Sequence, residues 1–289
     1  LFSRYYAEDL SKDEITMQNL KNNPNFKIGI IMLLLKKIPD ANTFFNLAMA
    51  EKTEREAKLG FNILSEYLTK QNFPNTNSIL NTFSSRAANY GTVIVESYPL
   101  LDFIIQKENI RQNSLVHAII KQEGNFALQA ISGPGAIGLM QVIPSTGKIV
   151  SKSINVDFNI NRLKNDYKYN IQIGSYYIDL LLKRFNASHP LALIGYNAGP
   201  NRVGTWQKRF FEPKTSDQMI DFIELIPFKE TREYVLRVME NEVIYNYLIS
   251  YHLENSNLPL NKKDKAFALH LEKNVQNKNT KLLDKKKKK

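Results

Sequence analysis

Apolar side chains in this chain recur three and four positions apart and almost nowhere alternate with polar ones, and only helices can bury such a pattern in register. Phe44, Leu47 and Ala48 stand at i, i+3 and i+4, and Phe61, Leu64, Ser65 and Leu68 continue the same logic. The alternating runs that mark half-buried strands are scarce. The expected fold class is therefore all-α. Breaks are expected at Pro24, Pro39, Gly60, Pro74 and Pro99, residues that interrupt or terminate helices. Residues 1–108 then read as helices joined by short turns, an α-hairpin array or part of a helical solenoid, with no repeat of fixed period. From 109 to 255 the character changes, because Gly124, Gly133, Gly135, Gly138 and Gly147 gather in loops between helical segments. Residues 256–289 form a polar tail rich in Lys and Asn.

Composition narrows the function. With 289 residues and a hydrophobic fraction of 43%, the chain can bury a core and is not disordered as a whole. Its net charge of +11 invites a nucleic-acid reading, but the charge is local. Residues 262–289 hold 11 Lys against 3 acidic residues, a net of +8, which leaves only +3 for residues 1–261. Such a run is a solvated tail that gives weak contact with any polyanion or membrane surface and no specific nucleic-acid site. The absence of Cys excludes disulfides, thiolate metal sites and a cysteine nucleophile. The apolar run Ile28–Leu35 is too short to span a bilayer and lacks the features of a signal peptide. Since the chain begins at Leu1, an export signal upstream of it is expected.

The residues with the clearest chemistry lie in Ser114–Gly124. Asn113 or Ser114 suits an N-cap and Gly124 a C-terminal cap. Within that helix Val116, Ile119, Ile120 and Glu123 fall at i, i+3, i+4 and i+7, so the core-facing stripe ends in a carboxyl group. A glutamate at the rim of an apolar face is partly desolvated, stays protonated to higher pH, and suits general-acid work. On the pattern alone, Glu123 could equally sit in an exposed last turn.

The segment Ala118–Gly147, AIIKQEGNFALQAISGPGAIGLMQVIPSTG, resembles the catalytic motif of the soluble lytic transglycosylases. There a helix-terminal Glu precedes a loop of small residues and then Gly-Leu-Met-Gln. Three further blocks follow in the family's order: NIQIGSYYIDLLLKRF (Asn170–Phe185), GYNAGPNRVGTW (Gly195–Trp206) and FIELIPFKETREYVLRVMENEVIY (Phe222–Tyr245). The last is similar to the stretch that marks the large Slt branch.

The resemblance implies a lysozyme-like catalytic domain over 109–255, preceded by a segment similar to the end of that branch's superhelix, with Tyr98-Pro99-Leu100 in the linker's place. It implies Glu123 as acid and then base, with substrate contacts from Ser132, Gln141, Tyr196 and Glu224. Asn197 fits the same groove, since an amide can bridge sugar hydroxyls or an N-acetyl group. The implied reaction cleaves the bond from N-acetylmuramic acid to N-acetylglucosamine and closes a 1,6-anhydro ring. Peptidoglycan strands are the implied partner, the periplasm the implied compartment, and no cofactor or metal is needed. The sequence departs from the family's pattern at Gly124 (usually Ser), Ile143 (often Met) and Gly195 (usually Ala). The first puts the hydrogen bonding beside the acid in question.

Other signals weigh less. Gly133–Gly138 satisfies the spacing G-x-G-x-x-G, but no strand precedes it and Pro134 sits inside it. The histidines His117, His189, His252 and His270 lack metal-ligand spacing. Asp157 and Asp166 are the nearest candidates for a second carboxylate; both lie in polar, loop-like stretches, and the resemblance places Asp166 in a structural turn. Trp206 is equally placed for core or groove. Three alternatives stay open: a lysozyme-like hydrolase on the same fold, a non-catalytic peptidoglycan-binding scaffold, and a basic helical nucleic-acid binder.

Overall fold

A computed structural model describes residues 14–50, 53–71, 73, 76, 79–80, 82–84, 94, 97–101, 110–124, 126 and 130–254. The chain divides into two compact units, Leu1–Pro99 and Leu100–Lys289, and the division falls inside the Tyr98-Pro99-Leu100 segment. The named elements are all helices; β-pairing among the described residues is limited to two isolated bridges, Ile131–Ile137 and Ile137–Val142. The fold class expected from the periodicity is the one observed.

In the first unit, α1 (Glu14–Asn22), α2 (Pro24–Leu34), α3 (Ile38–Met49) and α4 (Glu54–Lys70) pack in sequence, with α1 also against α4. Their starts follow from capping chemistry. Asn23 accepts a 3.0 Å hydrogen bond from the Phe26 amide ahead of Pro24. Thr53 and Glu56 form a reciprocal capping box at α4, satisfying two amides that would otherwise lack partners. The core is aromatic at its centre: the Phe45 ring lies 5.4 Å from Phe26 and 6.2 Å from Phe83, and truncating such a buried ring costs about 3–5 kcal/mol.

Of the three breaks expected at Pro24, Pro39 and Gly60, the first two fall at helix boundaries and the third does not. Pro24 and Pro39 sit in the first turns of α2 and α3, where a missing amide hydrogen costs nothing. Gly60 does not break a helix at all; it lies inside α4. A Cβ there would stand 3.1 Å from both Met49 Sδ and the Phe83 ring, so the glycine serves close packing rather than a turn. Pro74 and the tail 256–289 lie outside the described residues.

The second unit contains α5 (Ile110–Gly124), α6 (Pro144–Ser153), α7 (Ile160–Asn165), α8 (Tyr167–Arg184), α9 (His189–Ala198), α10 (Pro200–Arg209), α11 (Ser216–Leu225) and α12 (Lys229–Glu254). α12 lies along α5, α9 packs on α8, α10 and α12, and α6 and α7 rest on α8. Ile119, Ile120, Ile173, Leu193 and Val235 are fully buried between them. Asn159, Asp166, Ser188 and Thr215 each accept a backbone amide as N-caps. Asp166 both caps α8 and pairs with Arg162 at 3.0 Å, the structural turn that the resemblance implies.

α5 begins at Ile110, earlier than Asn113 or Ser114, which are buried inside it at 6% and 0% exposure. His117 on the same helix is fully buried as well. Its Nδ1 stands 2.7 Å from the Asn113 carbonyl oxygen, and its Nε2 accepts the Leu101 amide at 2.9 Å. The ring therefore carries its proton on Nδ1. Burial pushes its pKa down to about 4, so it is a neutral brace between Leu101 and α5, not a metal ligand. No group of His, Asp and Glu among the described residues is arranged to hold a metal ion, and no helix there is long and apolar enough to cross a membrane.

Candidate active site

The stripe on α5 delivers Glu123 to the last turn of the helix. Val116 is 3% exposed, Ile119 and Ile120 are fully buried, and Glu123 is half-buried at the rim. Burial is the main cause that pushes the Glu123 carboxyl from its ordinary 4.5 up to about 7. A Tyr234 contact opposes the rise, and the charge of Glu230 adds to it. A like charge nearby disfavours ionisation just as desolvation does. Glu123 thus holds its proton near neutrality, as a general acid must.

Two phenols, Tyr196 partly buried and Tyr234 buried, meet this carboxyl from other helices. Tyr196 on α9 donates its hydroxyl to the Met140 carbonyl at 2.8 Å, and its ring lies 5.2 Å from that of Tyr177 on α8. Its pKa is raised well above the ordinary value by burial first and by the Glu123 charge second. Tyr234 on α12 is 5% exposed. Its hydroxyl acts on Glu123 as a donor, yet no hydrogen bond of standard geometry engages it. The two observations describe a long or misaligned contact, of the kind that tightens when an active site fills.

The loop 130–142 stands opposite. The Ser132 amide donates to the Ala136 carbonyl and the Ser132 hydroxyl accepts the Ala136 amide, each at 3.0 Å, which closes a tight turn and leaves the hydroxyl hydrogen for a ligand. Gln141 has a left-handed backbone, φ 44°. Its side-chain nitrogen donates to the carbonyls of Ala130 and Gly138 at 3.1 and 2.8 Å. With both amide hydrogens used inside the loop, Gln141 can offer a sugar only its oxygen.

What pins the loop is Asn170 on α8, 1% exposed. Its Oδ1 accepts the Met140 amide at 3.0 Å, and its Nδ2 donates to the Ile137 and Leu163 carbonyls at 2.8 and 3.1 Å. Gly138, φ 78°, lets the loop close on it, since a Cβ would stand 2.3 Å from Asn170 Nδ2. The Asn170–Met140–Tyr196 chain of bonds links the loop to the phenol beside Glu123.

The remaining candidates separate. Asn197 accepts a 2.7 Å hydrogen bond from the Thr231 hydroxyl, which ties the end of α9 to the first turn of α12 beside Glu230. Glu224 is exposed on α11, and no hydrogen bond joins it to this cluster. Trp206 is 6% exposed and packs edge-on against Phe228, so it belongs to the core. Asp157 is exposed in a loop. Gly124 is the final residue of α5.

Three residues of the site were not singled out from the sequence. Glu230 and Tyr234 lie at i and i+4, a spacing that puts both on one face of α12. Asn170 precedes Ile173 and Gly174 at helical spacing on a buried stripe, where an amide without structural employment would be costly.

Residues 101–219 match the family described as "Transglycosylase SLT domain", and residues 225–251 match "Soluble lytic transglycosylase helical domain". The second match falls on the end of α11 and on α12 rather than in residues 1–108. The chain is 32% identical over 137 residues to the soluble lytic murein transglycosylase of Escherichia coli K12, covering 47% of this chain and 21% of that protein. It is similar to the structure of an inactive glutamate-to-glutamine mutant of lytic transglycosylase Slt from Pseudomonas aeruginosa. The TM-score is 0.59 with 25% identity, over 82% of this chain and 38% of that one. The 70 kDa soluble lytic transglycosylase of E. coli shares the fold at TM-score 0.53 and 21% identity, over 80% of this chain and 36% of that one. The chain thus has the all-α, lysozyme-like fold of these proteins and spans about a fifth of the length of the curated relatives it matches.

Proposed function

We propose, from the premise that residues 101–219 form a transglycosylase SLT domain, that this chain is a peptidoglycan lytic transglycosylase with Glu123 as its acid and base. The observation that carries the reading is a half-buried carboxyl, protonated up to about pH 7, at the end of a helix and beside the phenols of Tyr196 and Tyr234. Protonated Glu123 gives its proton to the oxygen joining N-acetylmuramic acid to N-acetylglucosamine, and that bond breaks. The substrate's own N-acetyl group stabilises the positive charge that develops at C1. The Glu123 carboxylate then takes the proton from the C6 hydroxyl of the same sugar, whose oxygen closes on C1 to give the 1,6-anhydro ring. One proton leaves Glu123 and one returns, and no water is consumed.

In this reading Tyr234 donates to the carboxylate that exists between the two steps, and burial, with the charge of Glu230 adding to it, keeps Glu123 protonated in the resting site. Ser132 offers its hydroxyl hydrogen to the N-acetyl group, while Gln141 offers its side-chain oxygen and Asn197 its side-chain nitrogen to the glycan. Tyr196 lines the cleavage subsite. Glu224, exposed and apart, contacts substrate only at the outer wall of the groove. Such an enzyme acts outside the cytoplasmic membrane, in the periplasm. The inactivity of a glutamate-to-glutamine mutant of the P. aeruginosa relative supports the assignment of a single essential glutamate.

The test is digestion of murein sacculi with the full chain and with Glu123→Gln, followed by mass spectrometry of the released muropeptides. Anhydro products from the first and none from the second are expected. Products heavier by one water would replace this reading with a lysozyme-like hydrolase, and solubilisation unchanged by Glu123→Gln would remove Glu123 from the chemistry.

A further inference from the structure

Helix α2 is apolar on two opposite faces, and the core of the first unit uses one of them. Phe26, Gly29 and Leu33 are its buried residues. Ile31, Leu34 and Leu35 face the other way and are 50%, 60% and 59% exposed. With Lys27 they fall at i, i+4, i+7 and i+8, within an arc of about 100° on the side of the helix away from Phe26 and Leu33. A helix at the surface of a globular unit ordinarily carries polar residues on that side. The same residues end the apolar run Ile28–Leu35, whose length excludes a bilayer span.

The turn that follows is built to suit an apolar neighbour. The Lys36 amide donates to the Leu33 carbonyl at 2.8 Å and the Lys37 amide to the Met32 carbonyl at 2.9 Å, the paired bonds of a Schellman stop. These amides are satisfied within the turn, so they lose no water when it meets an apolar layer. Lys36 occupies the left-handed position of the stop, φ 59°, where glycine is the least strained residue. A lysine held there sets a cation next to the exposed leucines. Lys27, Lys36 and Lys37 are exposed, and no ion pair among the described residues engages them. From Lys21 to Pro39 the sequence has four Lys and no Asp or Glu; Asp40, in the first turn of α3, is the first acidic residue after them.

We propose that the outer face of α2 and the α2–α3 turn dock on an anionic lipid surface. Ile31, Leu34 and Leu35 seat in the boundary between headgroups and acyl chains, and Lys27, Lys36 and Lys37 meet the headgroup phosphates. Exposed aliphatic tips beside lysines without counter-charges suit such a surface on both counts, apolar burial and charge. A second copy of the chain fits the face less well. Three side chains offer far less than the roughly 800 Å² that each partner of a stable interface buries, and two copies would bring like-charged lysines together. The face is distinct from the Lys-rich tail, whose contact with a polyanion needs no apolar insertion, and the proposal stands apart from the catalytic reading of Glu123.

The experiment is co-sedimentation of the full chain with vesicles of phosphatidylcholine alone and of phosphatidylcholine mixed with phosphatidylglycerol. Partition onto the mixed vesicles should be stronger by about tenfold or more. Leu34→Ser with Leu35→Ser, the tail left intact, should weaken that partition by about tenfold or more. Lys36→Gln with Lys37→Gln should weaken it by about tenfold, and on the mixed vesicles only. Both pairs are exposed, so circular dichroism and the unfolding midpoint should stay as in the unaltered chain. Leu35→Trp keeps the tip apolar; it should retain partition, and the emission it adds to that of Trp206 should move to shorter wavelength on the mixed vesicles. No partition of the unaltered chain, equal partition onto the two kinds of vesicle, or an unmoved Leu35→Trp emission overturns the proposal. Partition indifferent to the leucine pair also overturns it and assigns the binding to the tail. A mass by light scattering that doubles in solution, and returns to one chain in the leucine variant, overturns it in favour of a second copy.

Discussion

Replacing the acid should make the protein more stable, by an amount that depends on pH in one direction only. A carboxyl whose folded pKa is about 7 against an ordinary 4.5 binds its proton more tightly folded than unfolded. Below pH 4.5 both states hold the proton and nothing is gained or lost. Between 4.5 and 7 the unfolded chain ionises while the folded one resists, and the folded state loses ground. Above 7 the deficit is complete, about 3 kcal/mol at ~1.4 kcal/mol per pH unit. Glu123→Gln keeps the shape and removes the titration. The variant should therefore match the parent, apart from a constant offset, at pH 4, and exceed it by about 3 kcal/mol more at pH 8. Urea unfolding followed by the fluorescence of Trp206, the sole tryptophan and buried in the second unit, measures this directly. Buried His117 and Lys121, pushed down to about 4 and about 7 by desolvation, titrate in both proteins and cancel in the difference. A difference that stays flat with pH, or that moves against the variant as pH rises, would refute the claim that the site holds Glu123 in a costly neutral form.

Three other perturbations separate function from fold. Tyr234→Phe removes a hydroxyl that makes no well-formed hydrogen bond, so stability should change by less than about 1 kcal/mol. Turnover on sacculi should fall about tenfold or more if the phenol supports the carboxylate during reaction; unchanged turnover removes that role. Glu230→Gln deletes the like charge that raises Glu123. The limb of the pH–rate profile that reports loss of the Glu123 proton should move to lower pH, and high salt should shrink the gap because Glu230 is exposed and screened. Asn170→Ala leaves the Met140 amide and two carbonyls without their partner. Unfolding free energy should drop by about 2–4 kcal/mol and kcat should fall with it, whereas loss of stability with full kcat would mean that the loop holds its shape unaided.

The helices and the rim position of Glu123 were legible because both rest on local periodicity. Val116, Ile119 and Ile120 announce the buried face of α5, and Glu123 extends it, so one sequence pattern carries both a packing fact and a chemical one. Gly60 was misread because glycine interrupts a helix in the backbone's terms but permits one when two neighbouring side chains crowd the Cβ position. The start of α5 was placed late because Asn113 and Ser114 are of the residue types that cap helices, yet both are buried inside this one. Glu230, Tyr234 and Asn170 stayed hidden for a related reason. Asn170 pins a loop 30 and 33 positions before it and Glu230 and Tyr234 act on a residue more than a hundred positions away, and the spacing within one helix says which face a residue occupies without saying what waits opposite.

α12 has 26 residues, about 39 Å of helix, yet only its first two turns, from Glu230 to Tyr234, address the site. The rest, through Tyr245, Leu248 and Ile249, is clamped in the core. One residue inserted between Tyr234 and Tyr245 would turn one end against the other by about 100°, so either the phenol leaves Glu123 or the clamp opens. Such a helix can drift freely in the letters on its outer face and hardly at all in its length. Among descendants of this chain, substitutions in α12 should accumulate while insertions and deletions collect elsewhere, in the loops around Asp157 and Glu212.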